Sequence, residues 1–237
     1  MIHDGSISIT PSEAELRKQI AAFRRWADQY WSGQKCKWEH GHGEWECNYS
    51  QWPEIWSATV AFLETGSPAL WDDEIVEEIL YILARDNEDE RIKEEIVRRP
   101  SCLLALAKRG LSSTEVDARW QLADALGAAA GPDTEVEPLL VSFYNDSDEY
   151  VSRRALLAMG SRSSEQAEAS ALQSWNTGHE YQQMAALCVL SRIGSAHFES
   201  LRHMVELDPR QYLAKAARAQ AVPESTAVAP AYQKAVD

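Results

Sequence analysis

No stretch of this 237-residue chain comes near 18 consecutive apolar residues, so no segment reads as a transmembrane helix. Glycine and proline are scarce, 11 and 9, which excludes a collagen-like or low-complexity chain. The four cysteines, Cys36, Cys47, Cys102 and Cys188, are too few and too scattered for a disulfide framework. The first residues, Met1 to Ser6, show neither a basic n-region nor an apolar h-region, and a cytoplasmic location is the expectation. Catalytic signatures are missing as well: there is no GxSxG, P-loop or HExxH, and no GxGxxG after a strand. The chain is expected to be no enzyme and to need no cofactor.

Positive charge is the remaining deficit. Lys and Arg total 23 against 37 Asp and Glu, a net charge of -14. The imbalance is local, because residues 51–150 hold 22 acids and 8 bases while the flanks carry 15 of each and cancel. Nucleic acid and anionic membranes both select the opposite sign, so neither is an expected partner. A negative face attracts a basic protein surface, or simply solubilises a helix exterior.

What is present is ample apolar material, 45% of residues, arranged in repeats. Tyr150, Tyr181 and Tyr212 recur every 31 residues. Each is followed by an apolar or amide residue and then, four positions on, by Ala155, Ala186 or Ala217. Further along the same helical face come Ala158-Met159, Val189-Leu190 and Gln220-Ala221. A small residue in mid-face lets a neighbouring helix approach closely. One unit earlier, Ala118–Gly127 aligns with Val151–Gly160, and Ile75–Ala84 fits more loosely. Second helices are expected at about 101–110, 134–145, 164–176 and 196–207. Start signals fall at Thr10-Pro11-Ser12-Glu13, Ser112/Glu115, Ser163/Gln166, Thr177/Glu180 and Asp208-Pro209. Gly110, Gly127, Gly160 and Gly194 sit where helices should stop. No strand-like alternation is evident, so the chain reads as all-α.

The runs Val151–Gly160 (VSRRALLAMG) and Arg119–Gly127 (RWQLADALG) resemble HEAT repeats of the short bacterial type, and the resemblance spans residues 72–221. It departs from the family pattern at Ser191 and Val222, which stand in place of glycine. The resemblance implies a right-handed α-solenoid of about four to five helical hairpins, its second helices forming a concave face that holds a partner.

Residues 1–71 form a different region, expected to be a Trp-rich N-terminal helical cap. One helix is predicted over 11–32, with Leu16, Ile20, Phe23, Ala27 and Tyr30 on one face, and another over 53–65. The segment holds seven of the nine tryptophans. Residues 222–237 read as a loose tail. Between the cap helices, Cys36, His40, His42 and Cys47 make a C-x3-H-x-H-x4-C set, which is either a zinc loop or, as favoured here, a plain polar loop without metal. Trp38 and Trp45 in that loop are candidate partner contacts, whereas Trp26, Trp56 and Trp120 are expected in the core. Asp86, Glu88, Asp89 and Glu90 crowd one connection, either docking a basic loop or capping the next helix. Asp72, Asp73, Glu74, Glu77 and Glu78 extend the same field. Cys102 and Cys188 read as core thiols.

The leading expectation is a monomeric, non-catalytic module whose acidic surface, with Trp38, Trp45, Asp72, Asp73, Glu77, Asp86, Glu88 and Asp89, holds a basic protein. Its most concrete form is a bacterial immunity (antitoxin) protein neutralising a toxin. The alternatives are a HEAT-like enzyme or lyase-type accessory protein with a metal at the 36–47 loop, and a passive assembly scaffold.

Overall fold

A computed structural model describes residues 9–33, 45, 48–130 and 133–220. Among them are twelve α-helices, one short 3-10 turn at Pro68–Leu70 and no strand. The all-α expectation is met. No helix is long and apolar enough to cross a membrane among the described residues.

Helix α1 (Pro11–Gly33) starts where Thr10 Oγ1 accepts the Glu13 amide at 3.2 Å. Its buried stripe of Leu16, Ile20, Phe23 and Ala27 packs on α2 (Trp52–Thr65), which buries Trp52, Ile55, Thr59, Phe62 and Leu63. Helix α3 (Asp73–Arg85) is capped by the Asp72 carboxylate, which accepts the Ile75 amide at 2.8 Å. It is the most completely buried of the early helices, with Ile75, Val76, Ile79, Leu80, Ile82, Leu83 and Ala84 all enclosed. Then follow α4 (Arg91–Val97), α5 (Pro100–Gly110), α6 (Val116–Ala128), α7 (Asp133–Tyr144), α8 (Glu149–Arg162), α9 (Ala167–Asn176), α10 (Glu180–Arg192), α11 (Phe198–Val205) and α12 (Gln211–Ala219).

The contacts form a regular pattern. Helices α1, α3, α6, α8, α10 and α12 touch one after another in a row. Helices α7, α9 and α11 each lie against the row members immediately before and after them in the chain. The mid-face alanines Ala155, Ala186 and Ala217 are fully buried along this row, as close helix approach requires.

Two glycines expected as helix stops do another job. Gly127 and Gly160 lie inside α6 and α8. A Cβ on Gly127 would come within 2.8 Å of the Cα and Cβ of Ala158, and one on Gly160 within 2.7 Å of Val189. Both residues set the distance between successive row helices. Gly194 does act as a stop, taking φ 68° just beyond α10. Several start signals shift by a residue: Ser113 accepts the Glu115 amide at 3.2 Å, and Ser164 accepts the Gln166 amide at 3.2 Å. Ser163 instead closes α8 in the left-handed region, with φ 52°. Asp148 caps α8 by accepting the Tyr150 and Val151 amides.

Helix α4 is an element the periodicity did not reveal. Seven residues are too few for a convincing apolar period, yet Ile92 and Ile96 are fully enclosed against α2 and α6.

Candidate functional site

The acidic residues separate into three environments. The first is a cluster around the start of α3, organised by Arg17 of α1. Its guanidinium lies 2.9 Å from Glu13, 3.2 Å from Asp72, 3.0 Å from Glu74 and 3.5 Å from Glu78. Burial works against the charge of Arg17, but its hydrogen bond to the Glu13 carboxylate and the carboxylates of Glu78, Asp72 and Glu74 outweigh it, and its pKa is raised. Burial pushes the Glu78 carboxyl above its ordinary value, with Arg17 pulling the other way. Asp73 is exposed and pairs with Arg109 of α5. Glu77 is exposed and has no ion pair among the described residues. The N-cap Asp72 and Asp73, Glu74 and Glu77 at the start of α3 are therefore four exposed acidic residues close together in the chain, with only Arg17 and Arg109 paired to them among the described residues.

The second environment is interior. Asp86 is 0% exposed, which removes it from the surface where the sequence placed it. Its Oδ1 accepts the Trp56 indole at 2.9 Å and its Oδ2 accepts the Ile92 amide at 2.6 Å. The physical reason is the hidden helix α4: its first turn needs an acceptor, Glu90 makes no side-chain cap bond there, and Asp86 supplies one from within. The third environment is the exposed connection, where Glu88 and Asp89 face solvent and Asp89 lies 3.6 Å from Arg91. Helix α3, 13 residues or about 20 Å long, separates Glu88 and Asp89 from Asp72 and Asp73, so the acids do not form one continuous field.

Trp45, expected to face a partner, is only 8% exposed. Its ring packs 5.8 Å from Phe23 and its carbonyl accepts the Trp52 indole at 3.1 Å, which makes it core rather than a contact residue. Trp120 is buried as anticipated, and Trp26 and Trp56 are half-buried against the core. Trp38 and the Cys36, His40, His42 and Cys47 set lie outside the described residues. Among those described, no group of three or more metal-binding side chains converges. Cys102 is buried, and burial raises its thiol pKa, the state of an inert core thiol.

An open groove of about 690 Å³ runs between α2 and α4. It is lined by Val60, Ala61, Ile92, Glu64 and Glu94, and Arg91 stacks 3.9 Å over the Trp56 ring. Comparison with known protein families, characterised proteins and solved structures returns no match to this chain.

Proposed function

We propose that the chain is a right-handed solenoid of HEAT-like hairpins acting as a non-catalytic binding module, and that it grips a basic protein at the acidic edge of α3. The observation that carries this reading is the set Asp72, Asp73, Glu74 and Glu77, four exposed carboxylates on one edge with two guanidiniums among them. Folding gains little from such a density, because exposed pairs contribute only about 0–1 kcal/mol each. A cationic partner gains steering and register from it. The solenoid part of the reading is supported by the unbroken row from α1 to α12 and by the glycine and alanine contacts within it. The most concrete form remains an immunity protein that covers the active site of a cationic nuclease-type toxin. Of the residues expected from the sequence to hold a partner, this surface keeps Asp72, Asp73 and Glu77 and adds Glu74; Asp86 and Trp45 are buried, Glu88 and Asp89 lie beyond the far end of α3, and Trp38 lies outside the described residues.

The test is affinity capture from native lysate with the wild-type chain and with the triple variant Asp73→Lys, Glu74→Lys, Glu77→Lys. The wild type is expected to retain a discrete basic partner at low salt that the variant loses. Equal recovery by both chains excludes the α3 edge.

A further inference from the structure

A second surface lies away from the α3 edge, on the row helices α6, α8, α10 and α12. Tyr150, Tyr181 and Tyr212 are 36%, 42% and 53% exposed, although each opens a helix whose other apolar residues are buried or half-buried. The core does not demand them, yet they recur at one register on three consecutive helices. Trp120 meets the Tyr150 ring edge-on at 5.5 Å. The Arg154 guanidinium lies 5.2 Å from the Trp120 ring, and that of Arg153 lies 4.8 Å from Tyr150 and 5.0 Å from Tyr181. The Tyr150 and Tyr181 ring centres are thus less than about 10 Å apart. Three residues beyond each tyrosine stand Arg153, Met184 and Lys215, so the outer rungs are cationic and the middle one is a thioether.

The strip carries unused hydrogen-bonding groups, donors among them. None of the three tyrosine hydroxyls has a partner among the described residues, and Arg153 engages only its Nε, donating to Glu149 at 3.0 Å. The strip offers donors and aromatic faces. A polyproline II segment offers the converse, with carbonyl acceptors, no proline N–H groups and flat apolar rings. The pitch agrees too: one polyproline II turn spans about 9.3 Å, and packed helices stand about 8–10 Å apart. A segment crossing α8, α10 and α12 would set one turn on each tyrosine.

We propose that this strip docks a proline-rich extended segment of a partner protein, with acidic residues about six positions apart that meet Arg153 and Lys215. The probe is a fluorescent peptide with a glutamate on each side of five prolines, followed by anisotropy against the full chain. Saturable binding is expected, weakened about tenfold by Tyr181→Ala and by Arg153→Gln, and absent for the same peptide flanked by lysines. Tyr181 is exposed and Arg153 half-buried, and circular dichroism checks that both variants remain folded. The α3 triple variant should bind this peptide as the wild type does, which separates the present proposal from the one above. No saturable binding, equal binding of the lysine-flanked peptide, or indifference to Tyr181→Ala would each overturn it.

Discussion

At the scale of single residues, neighbours in the acidic run have opposite fates. Asp86 is enclosed while Glu88 and Asp89 face water, and nothing within the run distinguishes them. The difference arises because Trp56, thirty residues earlier, brings an indole donor to Asp86, and because the Ile92 amide lacks a helical partner. Asp86→Ala leaves both donors unsatisfied in the interior. It should destabilise the fold by about 2–4 kcal/mol in urea titration, with Asp86→Asn intermediate. Glu78 carries the opposite sign. Its carboxyl pKa is raised in the fold, so ionising it costs stability at neutral pH, a cost removed as pH falls through the folded pKa. Glu78→Gln should therefore be neutral or slightly stabilising at pH 7, and its advantage over the wild type should vanish in acid. A clear loss of stability at pH 7 would show that the Arg17 pair outweighs burial. The hub role of Arg17 was invisible in the sequence, since its partners Asp72, Glu74 and Glu78 lie more than fifty residues away.

At the scale of elements, the helical class and the principal helices were legible because their apolar periods are long. Ala155, Ala186 and Ala217 were read as close-packing positions and are fully buried. Gly127 and Gly160 were misread as stops, since a glycine closing a periodic run looks like a C-cap whatever its cause. Their true constraint is the next helix of the row, met at Ala158 by Gly127 and at Val189 by Gly160. Gly127→Ala tests it: despite a helix-propensity gain of about 1 kcal/mol, the new methyl meets the Ala158 backbone, and a net loss of about 1–3 kcal/mol in thermal or urea unfolding is expected. Gly194→Ala meets no atom within 4 Å and should cost only the strain of its positive φ, about 1 kcal/mol. Helix α4 escaped notice because four of its seven residues are charged and only Ile92 and Ile96 mark its buried side.

At the scale of the whole molecule, the local charge imbalance was legible as composition, but its geometry was not. The acids of residues 51–150 divide among an interior cap, ion pairs between helices and a few exposed edges. Lys93 and Arg154 both bind Asp124, and Arg119 holds Asp146 in a pair of hydrogen bonds, so much of the negative charge is already answered within the fold. Exposed carboxylates remain on α3 and also at Glu54, Glu88, Asp89, Glu94 and Glu135, and the reading proposed above assigns the partner to those of α3. Such a surface acts chiefly on encounter, raising association rates at low ionic strength and losing that advantage as the Debye length shrinks from about 30 Å at 0.01 M to about 8 Å at 0.15 M. The most direct measurement is the association rate constant of the captured partner across that salt range. The account predicts a fall of about tenfold or more for the wild type and a nearly flat profile for the Asp73→Lys, Glu74→Lys, Glu77→Lys variant. A wild-type rate independent of salt would contradict it.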